Sequence, residues 1–166
     1  MNSIMVRRSI RKYQKRVVEE QKVQELLKAA MSSPTARNQR EWEFVVVTDK
    51  EILKALSECS PYAGPAAEAP LAIIPVANEK RMKSPVYFEQ DLAATTENIL
   101  IEAVELGLGG VWMGIAPRKE RMDKVSEVLH LPEHTKPFAI ISIGYPAEER
   151  IETERYEEER IHYNQY

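Results

Sequence analysis

Glu97 to Gly114 reads E-N-I-L-I-E-A-V-E-L-G-L-G-G-V-W-M-G: an apolar helix runs into a glycine-rich turn and then into a strand. That helix is the longest the sequence predicts, from about Tyr87 to Leu106. Leu92, Ala93, Ile99, Leu100, Ala103, Val104 and Leu106 put apolar side chains on more than one of its faces, which points to a central, buried helix. Gly107 supplies its C-cap, since a residue without Cβ adopts the left-handed conformation without penalty. A strand follows near Val111 to Ile115. The stretch holds four of the chain's six glycines but is no dinucleotide fingerprint. The third glycine position falls on Trp112, and the segment leads into a strand instead of opening a helix after one.

Working outward, Leu71 to Val76 reads as a strand in which Pro75 favours an edge or a bulge. Residues 60–70 form a proline-rich loop without clear periodicity. Trp42 to Val47 is aromatic and β-branched, hence a strand, and Asp49 caps a short helix carrying Ile52, Leu53 and Leu56. Val23, Leu26, Leu27, Ala30 and Met31 recur at helical spacing over roughly residues 18–31, and Ser32-Ser33-Pro34 ends that helix. On the other side, a helix runs from Arg118 to about Leu129, and Phe138 to Ile143 forms the last strand. Strands alternating with helices would, by themselves, suggest a doubly wound parallel sheet.

Beyond Gly144 the chain turns polar, with seven glutamates between Glu148 and Glu159. Tyr156, Ile161, Tyr163 and Tyr166 are interspersed there, and disordered acidic segments are usually poor in aromatics. This tail is expected to lie on a surface, its own or a partner's.

With 166 residues, one domain is expected. Acidic residues outnumber basic ones 26 to 23, which argues against general nucleic-acid binding. No apolar run approaches the roughly 20 residues of a membrane span, and no export signal opens the chain. Cys59 is the single cysteine; it excludes an intrachain disulfide, fits a cytoplasmic protein, and reads as a small buried apolar residue before it reads as a nucleophile. His130 and His134 stand four apart, but Pro132 breaks the helix that would align them as metal ligands. No spacing suggests a Ser-His-Asp arrangement or a paired-carboxylate site. An enzyme built from this chain would lean on a cofactor.

Arg7, Arg8, Ser9 and Arg11, spelled R-R-S-I-R, concentrate positive charge near the N-terminus of this acidic chain. Guanidinium forks match phosphate oxygens in pairs, so the cluster suggests a small anionic ligand. An exposed basic turn or a nucleic-acid patch would read the same way in isolation.

Taken together, R-R-S-I-R-K-Y (Arg7 to Tyr13), S-S-P-T-A-R-N-Q-R-E-W-E-F (Ser32 to Phe44) and the Glu97 to Gly114 stretch resemble the flavin-dependent nitroreductase family. The closing I-G-Y-P (Ile143 to Pro146) adds a weaker match. The resemblance implies an α+β fold, a three-layer α/β/α sandwich with a mostly antiparallel central sheet. It also implies a single domain over residues 1–166, with a tail from about residue 147 reaching across to a partner subunit. FMN would lie at the interface of a homodimer, reduced by NADH or NADPH. By matching position, Arg7, Arg8 and Ser9 would meet the phosphate and ribityl chain, and Arg11 the N1 and C2-carbonyl side of the ring. Pro34, Thr35, Ala36 and Asn38 would cover the flavin of the other subunit. Trp112, Met113 and Gly114 would lay their backbone against the ring, and Arg155 would complete the phosphate site unless it pairs with neighbouring glutamates. The implied activity is an NAD(P)H oxidoreductase passing electrons by a ping-pong cycle to a nitroaromatic, quinone or similar small molecule; the alternative is a non-catalytic flavin binder or redox sensor. Two departures stand out: Thr35 replaces the commoner serine, and Arg40-Glu41 stands where Gln-Pro or proline usually precedes the tryptophan.

Overall fold

Leu71-Ala-Ile-Ile-Pro-Val-Ala-Asn78 is the strand around which the rest is assembled, and its unbroken apolar run has a simple cause: both of its faces are covered. The computed structural model describes residues 2–149 and 154–166; residues 150–153, part of the predicted tail, lie outside the described residues. With helices and strands numbered along the chain, α1 is Ser3–Val6, α2 Glu20–Met31, β1 Trp42–Val47, α3 Lys50–Ser57, α4 Pro65–Glu68 and β2 the strand just quoted. They are followed by α5 (Phe88–Glu105), β3 (Gly109–Gly114), α6 (Lys119–Leu129), β4 (Thr135–Pro137) and β5 (Ala139–Gly144). The sheet runs β1-β2-β5-β3, with β4 paired to β2, and each of these ladders is antiparallel. The architecture is therefore α+β, as the resemblance implies, and the parallel sheet suggested by alternation does not form. Hydrophobic period reports which residues face a core; it carries no information about strand direction.

Three layers follow from the side-chain alternation. Leu71 and Ile73 of β2 join Ile141 and Ile143 of β5 against Leu26 and Ala30 of α2 and Ile99, Leu100 and Ala103 of α5. Ala72 and Ile74, with Ile140, Val111 and Met113, point the other way, onto Leu53 and Leu56 of α3, Ala66 of α4 and Val125 of α6. Asp49 starts α3 as expected, its Oδ1 accepting the N–H groups of Glu51 and Ile52 at 2.9 and 3.0 Å, a cap worth about 1 kcal/mol. Gly107 takes φ 72° just past α5, as its C-cap reading requires.

Three expectations change. α5 is not buried all round: Leu92, Ile99, Leu100 and Ala103 face the core, whereas Ala93, Ala94, Glu97, Asn98 and Ile101 remain half-buried. The proline-rich loop contains α4, opened by Pro65 at a position where a helix has no use for its N–H. Of the edge or bulge expected at Pro75, the edge is excluded and the bulge forms: Pro75 lies in an interior strand, opposite Phe44 of β1, and the β4 and β5 ladders are out of register by one residue, so that Phe138 and Ala139 both face it. On its other side β2 pairs with β5 through residues 71–73 and with β4 through 76–78, so Pro75 falls in the break between the two. Phe138 donates its N–H to the Pro75 carbonyl at 2.9 Å, and the return bond is the one the ring removes. The Phe138 carbonyl accepts instead from Ile115 and Ala116, at 3.2 and 2.9 Å.

In the tail, Tyr156, Tyr163 and Tyr166 are 66%, 81% and 105% exposed, so within one chain these rings are not packed at home.

A Cβ on Gly109 would fall 2.5 Å from the Ile10 side chain, while one on Gly114 meets nothing within 4 Å. Gly109→Ala should therefore lower unfolding free energy by about 1–3 kcal/mol, and Gly114→Ala should change it by less than about 0.5 kcal/mol, in chemical denaturation of the two variants.

Candidate functional site

The N-terminal segment is laid along β3 by short-range packing. Ile10, 1% exposed, donates its N–H to the Gly110 carbonyl at 3.0 Å, and Ser9 bridges Gly110 in parallel fashion. The Tyr13 hydroxyl donates to the Ile10 carbonyl at 2.6 Å and bonds Ser142 Oγ at 2.8 Å, pinning the segment to β5 as well. Around this anchor the predicted cationic residues converge. Arg7 Nε pairs with Glu97 Oε1 at 2.7 Å, and Arg8 Nη1 donates to the Met5 and Arg7 carbonyls. The Arg11 backbone N–H donates to Glu148 Oε1 at 2.6 Å.

Three cavities adjoin here. Arg7, Arg8, Arg155 and Tyr156 line one of about 160 Å³. Arg8, Ser9, Arg11 and Arg155, with Glu148 and Glu149 at the rim, line a second of about 380 Å³. Arg11, Tyr62, Pro65 and Val111 to Gly114 line a third of about 410 Å³. Arg155, distant in sequence, thus meets the arginine cluster, and its backbone N–H is held by Glu154 Oε1 at 2.9 Å. Arg11 belongs to both of the larger cavities and joins their two ends.

The third cavity runs along the outer edge of β3. This strand pairs with β5 on one side; on the other, among the described residues, no further strand pairs with it, and the Ser9–Gly110 bridge is its one backbone bridge there. Met113 is buried toward α3 and α6, Trp112 packs on Phe138 with ring centroids 5.5 Å apart, and Gly114 is exposed. Arg121 Nη1 donates to the Gly114 carbonyl at 3.1 Å while its guanidinium lies over the Tyr62 ring, 5.4 Å from the centroid. Tyr62, Pro65 and Arg121 went unnoticed in the sequence because no short-range spacing links them to β3. Anchored guanidiniums at one end and a strand edge beside an unfilled glycine at the other suit a long ligand with an anionic tail and a flat head.

Pro34, Thr35, Ala36 and Asn38 are not brought to this place; they line none of the three cavities. They form a separate loop in which Arg37, Asn38 and, beyond right-handed Gln39, Arg40 have φ of 53°, 50° and 47°, left-handed values that cost energy for residues with a Cβ. Thr35 Oγ1 accepts the Arg40 N–H at 3.1 Å and Asn38 Oδ1 accepts from Arg40 Nε at 2.7 Å. Beneath the loop lies an arrangement that the sequence spacing did not suggest. Glu41 is fully buried and Asp91, at the start of α5, is 7% exposed. Gln39 Nε2 donates to Glu41 Oε1 at 3.0 Å and to Asp91 Oδ2 at 2.7 Å, and the Ala36 N–H donates to both Asp91 oxygens at 3.0 and 3.1 Å. Burial, reinforced by the Asp91 carboxylate, pushes the Glu41 carboxyl up to about 7. The one hint in the sequence was the departure at Arg40-Glu41.

Among the described residues, no group of three His, Cys, Asp or Glu side chains could hold a metal ion, and no helix is long and apolar enough to cross a membrane.

The model of the nitroreductase family matches this chain over residues 4–84 and 61–145. A protein of Archaeoglobus fulgidus with the provisional name NADH dehydrogenase/NAD(P)H nitroreductase is 41% identical, over 98% of this chain and 95% of its own length. The crystal structure of a Clostridium acetobutylicum protein provisionally named an NADH oxidase superposes with a TM-score of 0.96 at 45% identity, covering 99% of both chains. An FMN-dependent nitroreductase of Clostridium difficile gives 0.92 at 34% identity, again over 99% of each chain. With matches spanning nearly its whole length, the chain belongs to the nitroreductase family.

Proposed function

We propose that this chain is an FMN-dependent NAD(P)H oxidoreductase that passes electrons, by a ping-pong cycle, from NADH or NADPH to a nitroaromatic, a quinone or a similar small acceptor. The observation that carries the reading is Arg11, shared between an arginine-lined cavity and a slot along the outer edge of β3. The names of the relatives, an NAD(P)H nitroreductase and an FMN-dependent nitroreductase among them, support it. FMN, when bound, supplies hydride acceptance and electron release. The protein's own residues bind and orient it. Arg7, Arg8, Ser9 and Arg155 take the phosphate and ribityl end, exchanging internal partners such as Glu97 for phosphate oxygens. Arg11 stands by the side of the ring that becomes anionic on reduction and stabilises that charge. Trp112, Met113 and Gly114 present backbone to the ring, and Gly114 has room there that none of the described residues fills. No side chain is required as acid or base.

The functional unit we infer is a homodimer of single-domain subunits, in the cytoplasm. Pro34, Thr35, Ala36 and Asn38 lie away from the cavities of their own chain, as they would if they cover the flavin of a second one. The exposed Tyr156, Tyr163 and Tyr166 of the tail, and Ile4 and Met5 beside the arginines, offer the apolar surface that such a contact buries.

The purified protein should be yellow, its flavin should bleach with NADH or NADPH, and an electron acceptor should restore the colour. Flavin that stays oxidised with both nucleotides would leave a carrier or sensor in place of an enzyme. Replacing Arg7 by alanine should weaken FMN binding by about 1.5–3 kcal/mol, a rise of roughly 10- to 150-fold in Kd by equilibrium titration. Arg11→Ala should lower the flavin midpoint potential more than it weakens binding, as read by spectroelectrochemistry. Deleting residues 154–166 should reduce dimer stability and flavin occupancy together; a fully flavinated dimer in sedimentation of the truncated chain would refute the role given to the tail.

A further inference from the structure

Two carboxyl groups, a side-chain amide and a left-handed loop meet at one buried point, and their hydrogen bonds do not close if both acids are ionised. The Gln39 amide is fixed in orientation: its Oε1 accepts the N–H groups of Lys83 and Ser84, each at 2.9 Å, so its NH₂ must face the acids. One hydrogen goes to each carboxyl. Asp91 gains further donation from the Ala36 N–H and is well served as an anion. Glu41 is not: its Oε2 is fully buried with no hydrogen-bond partner. A second bare anion at that position would face the first one with no counter-charge. A proton on Glu41 removes the repulsion and makes it a donor toward Asp91.

We propose that Glu41 and Asp91 hold one proton between them and, through Gln39, act as positioning residues that fix the Thr35–Asn38 loop in the shape presented to flavin. The flavin half of this rests on the function proposed above. The geometry shows how the fixing works. Asp91 anchors the loop at the Ala36 N–H and Gln39 ties its end to the segment before α5, so the left-handed residues Arg37 and Asn38 are clamped from both sides. The charged residues carried by the segments that meet here are Arg37 and Arg40 on the loop, Glu43 on β1, Glu79, Lys80, Arg81 and Lys83 between β2 and α5, and Glu89 on α5. Arg40 is engaged with Asn38, Glu43 accepts from Asn78, and Glu79 is paired with Lys136. Asp91 is the charge that acts on Glu41.

The sign of the pH effect follows. Glu41 keeps its proton in the folded protein up to about 7, whereas the unfolded chain releases it near 4.5, so the folded state binds more protons across this window. Stability and loop order are therefore lost as pH rises through it, and the loss is complete once the folded-state group has ionised. Glu41→Gln keeps the uncharged form and should abolish this dependence.

Thermal unfolding of the full chain without added flavin tests the proton. Between pH 5 and pH 8, wild type should fall behind Glu41→Gln by roughly 5–10 °C in Tm. FMN titration tests the positioning. Wild-type Kd should rise several-fold from pH 6 to pH 8 while that of Glu41→Gln stays flat, and Asp91→Ala should raise Kd about tenfold or more at every pH. Asp91→Asn, which keeps an acceptor for Ala36, should fold and fall between them. A Tm gap that does not move with pH overturns the shared proton. A normal pH-dependent gap with unchanged FMN affinity in both Asp91 variants overturns the positioning role. A wild-type protein that takes up no FMN at any pH sinks the proposed function and the positioning role with it, and the flavin-free Tm series still decides the proton.

Discussion

Ile10 packed on Gly109 is the contact on which the proposed site depends. Strand β3 is the last in the sheet, and the N-terminal segment reaches its edge because Gly109 leaves space for the isoleucine side chain while the Gly110 carbonyl accepts the Ile10 N–H. Burying that side chain contributes about 1.5–3 kcal/mol, enough to hold a short segment that has little regular structure of its own. Arg7, Arg8, Ser9 and Arg11 straddle the anchor, so their placement relative to Val111–Gly114 is inherited from packing and not from their own charges. Like charges would otherwise separate them.

The same region shows how a cationic cluster is kept stable without a ligand. Glu97 pairs with Arg7 and Glu148 takes the Arg11 backbone N–H, but the side chains of the Arg7–Glu97 pair are 24% and 40% exposed. Ion pairs of that exposure are worth at most about 1 kcal/mol. Such a pair orders the Arg7 guanidinium and is weak enough to be exchanged for the proposed phosphate, whose charge-assisted bonds would be stronger. The cluster is thus preorganised at low cost, and the ligand does not have to assemble it.

Much of this was legible in the residues. Helices α2, α3, α5 and α6 and strands β1 and β5 are legible from apolar patterning, with Asp49 marking the start of α3 and Gly107 the end of α5. The cationic segment and the glycine-rich strand carried the site's two ends. What stayed hidden was long-range. Antiparallel order leaves no trace in alternation. Pro75 read as an edge or a bulge, and local rules cannot choose between them, because the bulge lies at the break between two partner strands. Glu41 stood out only as part of a departure before the tryptophan; its burial and its meeting with Asp91, 50 positions away, leave no mark in local spacing. Tyr62 and Arg121 meet β3 only once α4 and α6 have packed.

Pro75 has one more consequence. A buried apolar strand with similar residues at every position has little to stop it sliding against its neighbours, and a slip of one place would exchange the faces of all its side chains. In β2 the missing N–H can be tolerated opposite Phe138, where the partner carbonyl has turned to Ile115 and Ala116. Moved along by one residue, it would face the β1 ladder, and moved by two it would fall inside the paired run of β4 or β5, in either case leaving a carbonyl without a donor. The proline so marks the middle of the sheet like a keyway, and β2 fits its neighbours in one register.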